Sequence, residues 1–206
     1  AVFTFDKIQD SFESLIDPEL PIPEESIKIH HIDQSMVEGK PKIQDVLPKI
    51  VSLMEDHIVI GHGIGFDLEA LFTACEKYHP SLIKKPKSID TLRMARLYGE
   101  SPINSLEKLR EHFQIPYEGA HRAMNDVLVN IEVFKKLAQP YKTTEEIQKI
   151  LRKPIKLRRM PLGKHKGRNF SEIPLQYLLW AAKKDLDEDL LFSIRSEIRS
   201  RKTHNS

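Results

Sequence analysis

The chain has 206 residues, 40% of them hydrophobic and 30% charged, with a formal net charge of +2. That is enough apolar material for a core. One cysteine excludes an intrachain disulfide and a cysteine-rich zinc centre, and no apolar run approaches the ~20 residues that span a bilayer. The charge is unevenly spread: residues 1–138 carry 16 Lys+Arg against 22 Asp+Glu, whereas residues 139–206 carry 16 against 8. Lys149–Arg168 holds nine basic residues and no acidic one, as in a solvated linker or a segment that meets a polyanion. Cys75 falls on the apolar face of an expected helix, which fits core packing and a reducing cytoplasm.

Taken in order, Ala1–Phe5 and Ser11–Ile16 are β-prone runs that read as a hairpin joined by Asp6–Asp10. Pro18, Pro21 and Pro23 impose extended or turn structure. Ile43, Val46, Leu47, Ile50, Val51 and Met54 follow the 3.6-residue repeat of a helix. His57–Gly61 is a short continuous apolar run suited to a buried strand. A helix follows with Leu68, Leu71, Phe72 and Cys75 on one face. Lys87–Thr91 reads as another strand, leading into helical spacing through Leu92, Ala95 and Arg96. Asn104 with Glu107 resembles a capping box for a helix bearing Leu106, Leu109 and Phe113. Met124, Val127, Leu128, Ile131, Phe134 and Leu137 mark a long helix, and Pro140 closes the region. Strands alternating with helices predict an α/β domain over residues 1–139. A basic linker is expected over 140–158, where Thr143 or Thr144 caps a short helix. A small, mainly helical C-terminal module is expected over 159–206.

Two stretches carry chemistry. Gly119–Asp126 puts His121 five residues before Asp126 at the mouth of the long helix. At about 1.5 Å rise per residue the two side chains start within one or two turns. A carboxylate there can hold a hard divalent cation, and an imidazole can take a proton from water. The second stretch, His62-Gly63-Ile64-Gly65-Phe66-Asp67, follows the apolar strand and places a carboxylate where α/β active sites form. Asp67 is equally a favoured helix cap, and Phe66 suits a core.

Together with Asp90-Thr91-Leu92 and Ile29-His30-His31-Ile32-Asp33, these stretches resemble the DEDDh family of 3′→5′ exonucleases. That is the family of the epsilon proofreading subunit of DNA polymerase III and of ribonuclease T. The resemblance covers Val2 to Leu137 and implies a ribonuclease-H-like mixed sheet flanked by helices. It implies two divalent cations, Mg²⁺ or Mn²⁺, with Asp126 and Asp67 as metal ligands and His121 as general base. His62, Phe66 and Asp90 would support the site. The implied substrate is the 3′ end of single-stranded DNA, in proofreading or repair, with a DNA polymerase subunit as partner. RNA trimming, and a non-catalytic nucleic-acid or polymerase-binding protein on the same fold, are the alternatives.

The family's first motif, an Asp-x-Glu on the first strand, is not among these residues. The chain opens at what the resemblance makes the second strand. The expectation is an incomplete domain with little nuclease activity of its own, and some twenty or more residues before Ala1 in the natural protein. The segment Met160–Gly167, with Ile173-Pro174 and Tyr177–Trp180 beyond, resembles a small domain appended to some bacterial exonucleases. There Lys164, Lys166 and Arg168 are candidate phosphate contacts, while Tyr177 and Trp180 at i, i+3 beside leucines read more readily as packing residues.

Overall fold

The computed structural model describes residues 1–82, 84–101, 103–116 and 123–204. The chain divides into two compact units, Ala1–Leu92 with Ile103–Tyr141, and Arg93–Pro102 with Lys142–Ser206. The fold is α/β, with one antiparallel and one parallel strand pair among the described residues and helices making up most of the rest.

In the first unit β1 (Val2–Phe3) pairs antiparallel with β2 (Ile8–Asp10). The second strand was expected at Ser11–Ile16. The hairpin instead closes at once, because Thr4 and Lys7 bond to each other across the turn through backbone and hydroxyl. All of β2 is exposed, so its polar composition is no obstacle to pairing. Phe3 and Phe5 pack with ring centroids 6.0 and 5.8 Å from that of Phe134.

The stretch from Pro18 to Pro23 is extended and turn structure, as read, and two short helices follow it. Pro23 sets the N-cap of α1 (Glu24–His30), two glutamates face the positive end of that helix, and left-handed His31 ends it. Asp33 then caps α2 (Gln34–Val37) by accepting from the Met36 amide. The expected helices follow as α3 (Ile43–Met54) and α4 (Gly65–Tyr78), with Cys75 only 1% exposed; burial pushes its thiol pKa up. Between them β3 (Val59–Gly61) runs parallel to β4 (Ser88–Asp90), in the register Val59↔Ser88, Ile60↔Ile89 and Gly61↔Asp90. Next come α5 (Thr91–Tyr98), α6 (Leu106–His112) and α7 (Ala123–Ala138). The cap of α6 is Ser105 rather than Asn104, because the Ser105 hydroxyl is the one that accepts from the Lys108 amide. Val133, Phe134 and Leu137 of α7 are buried.

The second unit holds α8 (Thr144–Leu151), capped by Thr143, then α9 (Leu175–Ala181) and α10 (Glu188–His204). The short helix expected within 140–158 is α8, and it buries Ile147 and Leu151. Leu157, Met160, Phe170, Ile173, Leu178, Leu190, Ile194 and Ile198 form a core. A buried carboxylate organises its edge. Asp189 is 1% exposed and accepts from Arg93 (3.0 and 2.8 Å), Arg96 (2.8 Å) and the Ile155 amide (2.9 Å). Burial, the largest influence, raises its pKa, but the bonds from Arg93, Ile155 and Arg96 together outweigh it and hold the carboxyl below its ordinary value.

Candidate active site

The parallel register brings the carboxyl ends of β3 and β4 side by side, where open α/β sheets form their sites. Two polar groups fasten those ends. Asp90 accepts the Gly63 and Leu92 amides through one oxygen, both at 2.9 Å, so its carboxylate joins the turn after β3 to the start of α5. Gly63 lies at φ +71°, a left-handed conformation that glycine adopts without the Cβ penalty.

Thr91 is fully buried, and its hydroxyl lies 2.6 Å from Asn130 Oδ1, 3.1 Å from the Gly61 carbonyl and 3.0 Å from His62 Nδ1. His62 Nε2 is the donor to the Asn104 carbonyl at 2.8 Å, because a carbonyl only accepts. The network therefore links β3, α5, the approach to α6 and helix α7. Asn130 stands one turn after Asp126 on α7, so Asp126 rises from the same side of a helix pinned to the end of β3.

Asp67 is not the cap of α4. The helix begins at Gly65 with Ile64 as its N-cap, and Asp67 sits in the first turn with its side chain exposed. Phe66 is 79% exposed, so it is no core residue. Asp126 is likewise exposed in the first turn of α7. Backbone dipoles at both places favour negative charge. His121 lies outside the described residues. Among the described residues no three His, Cys, Asp or Glu side chains converge on one metal position.

Sequence reasoning gave no role to Thr91 and missed Asn130 altogether. The available signal was a polar Asn130 between Val129 and Ile131, on a face of the long helix that is otherwise buried and apolar.

Lys164, Lys166 and Arg168 all belong to the second unit and are exposed. They lie on a loop closed by Met160 and Arg168, where the Met160 amide donates to the Arg168 carbonyl and the Gly167 amide to the Met160 carbonyl. Trp180 is 53% exposed, against the expectation of core packing.

Residues 2–134 match the family profile described as exonuclease (RNase T type). The chain belongs to that exonuclease family. Enzymes of the family generally use divalent metals. Residues 147–191 match a second profile, described as “Putative quorum-sensing-regulated virulence factor”. The chain is 31% identical to the DNA polymerase III subunit epsilon of Aquifex aeolicus over 133 residues, 64% of this chain and 65% of that protein. It is 29% identical to the PolC-type DNA polymerase III of Caldanaerobacter subterraneus over 163 residues, 76% of this chain and 12% of that protein. The chain thus spans less than two thirds of the length of these relatives. Among solved structures, exonuclease X in complex with 5′ overhanging duplex DNA superposes with a TM-score of 0.57. It is 23% identical, and the match covers 73% of this chain and 86% of that one. That likeness is one of fold. No described helix is long and apolar enough to cross a membrane.

Proposed function

We propose that the first unit is the nuclease part of a divalent-metal-dependent 3′→5′ exonuclease acting on single-stranded DNA ends in proofreading or repair, beside a DNA polymerase. The observation that carries this reading is the pair of exposed carboxylates in the first turns of α4 and α7, on frames tied together through Thr91. DNA as substrate and a polymerase as partner are supported by the names of the relatives, both of them DNA polymerase III proteins.

Asp67 and Asp126 fit a hard cation in donor chemistry. They offer carboxylate oxygens on an exposed surface, and Mg²⁺ is commonly held by one or two carboxylates, with waters and substrate phosphates completing the shell. A pair of Mg²⁺ or Mn²⁺ ions supplies charge neutralisation at the scissile phosphate and a more acidic attacking water. The protein's own part is positioning and proton handling. Asp67 and Asp126 are presented in the first turns of α4 and α7, and the His62–Thr91–Asn130 network ties α7 to the end of β3. His121 takes the proton of the attacking water. Phe66, exposed one residue before Asp67, faces solvent where a terminal nucleotide has to enter.

The test is release of nucleotides from a 3′-end-labelled single strand by the natural polypeptide with Mn²⁺. His121→Ala is expected to lower the rate by about 10²–10⁴ with metal binding nearly unchanged, and Asp126→Asn to lose both. Wild-type rates in His121→Ala would end the base assignment, and digestion that survives chelation of the metal would end the whole reading.

A further inference from the structure

Three rings stand in a row on the second unit. His165 meets Tyr177 edge-on with centroids 4.5 Å apart, and Tyr177 lies 5.3 Å from Trp180 at a tilt of 44°. The basic turn comes right up to this row: a Cβ placed on Gly163 would lie only 2.8 Å from the Tyr177 hydroxyl. Lys184 holds its ammonium 5.0 Å from the Trp180 ring centre. Half of a large indole is left to solvent, which is unusual for the residue with the most apolar area to bury.

The chain leading into and through the row is basic, and acidic residues resume only beyond Lys184, at Asp185. From Lys149 to Lys184 there are eleven basic residues and a single acidic one, Glu172, which is occupied by Asn169. The His165 Nδ1 is buried and has no hydrogen-bond partner among the described residues, an uncommon state for a buried polar atom. An exposed aromatic ring bordered by cations is how proteins hold unpaired bases: every base has a face to stack, and every nucleotide brings a phosphate.

We propose that this face of the second unit binds single-stranded nucleic acid, with Trp180 stacking an unpaired base and Lys164, Lys166 and Lys184 taking the flanking phosphates. The site shares its class of ligand with the exonuclease reading but needs neither metal nor catalysis. Trp180 is the only tryptophan in the chain, so its fluorescence reports on this face alone.

The experiment titrates the full chain with an oligo-dT strand in the presence of a chelator, following tryptophan emission together with the anisotropy of a labelled strand. Saturable quenching is expected with oligo-dT, and little with a blunt duplex of equal length, whose bases are already stacked. Trp180→Ala is expected to weaken binding by about five- to a hundredfold, and Trp180→Phe to retain most of the affinity. Replacing both Lys164 and Lys166 by Gln is expected to flatten the log–log salt dependence by about 1.4, or 0.7 per lost phosphate contact.

These side chains are exposed, so the variants keep the core. Strand binding without quenching, with Trp180→Ala as tight as the parent, would overturn the proposal and leave the face to a protein partner. Quenching by the duplex equal to that by the single strand would overturn base stacking. Binding is measured with the chelator present, so it stands or falls on this face alone, whereas the exonuclease reading is tested by the metal-dependent digestion described above.

Discussion

Replacing Asp189 by Asn removes one charge from the place in the second unit where charge is most deeply buried. The carboxylate accepts four hydrogen bonds, three from the guanidinium groups of Arg93 and Arg96, whose side chains are 22% and 11% exposed. An amide at this position turns an NH₂ toward the guanidinium groups and removes the buried counter-charge, leaving Arg96 its half-exposed partner Asp187. Breaking a buried pair in this way typically costs about 3–5 kcal/mol. Because Arg93 keeps some contact with water, the expected loss is about 3 kcal/mol, roughly a hundredfold in the unfolding constant. Asp187 is a matched control: it bonds the same Arg96 at 2.9 Å but is 42% exposed. Its side chain also caps the Leu190 amide, and Asn caps nearly as well. Asp187→Asn is therefore expected to cost less than about 1 kcal/mol. The assay is urea unfolding followed by emission from Trp180, which sits in the same unit. Equal losses for the two variants, or a loss below about 1 kcal/mol for Asp189→Asn, would show that water screens this cluster and would refute the reasoning.

The same carboxylate sets an acid limit. A pKa held below the usual value stabilises the fold above the unfolded pKa of about 3.9, and that contribution is lost as pH falls through the folded value. The urea midpoint of the second unit should drop below about pH 4, and Asp189→Asn should flatten that limb. Thr91→Val keeps the shape and removes the hydroxyl between His62, Gly61 and Asn130. Removing the partner of buried Asn130 and of the part-buried Gly61 carbonyl and His62 Nδ1 should cost about 1–3 kcal/mol of first-unit stability, read by hydrogen exchange of the β3 and β4 amides; unchanged exchange would show the network to be dispensable. Gly63→Ala has open space, its nearest neighbour being a Leu92 methyl at 3.8 Å, so only its φ of +71° opposes the change. About 1–2 kcal/mol is expected in the same measurement, and no loss would mean that the turn relaxes freely.

Sequence alone determined the elements whose signals are local. The 3.6-residue repeat of Ile43–Met54 gave its helix, since a period reports directly which side of an element avoids water. The apolar run before Gly61 gave a strand, but β3 is half-buried rather than buried. Motif order and spacing placed the chain in its exonuclease family, because residues that must meet at strand ends keep their distances along the chain. The second hairpin strand was misplaced, since pairing there depends on where Thr4 and Lys7 close the turn rather than on β-propensity.

Tertiary structure decided the rest. The bond from Thr91 to Asn130 joins residues 39 apart, and those from Arg93 and Arg96 to Asp189 join residues 96 and 93 apart; no periodicity encodes such pairs. Whether Trp180 lies in a core or faces water was equally beyond a pattern of i and i+3. Tyr177 and Trp180 share a face of α9, but burial depends on what packs there, and the short helix buries Leu178 and Ala181 instead. Sequence spacing tells which side chains lie together on one element. Only the packed chain determines which of those sides meets another element and which is left for a ligand.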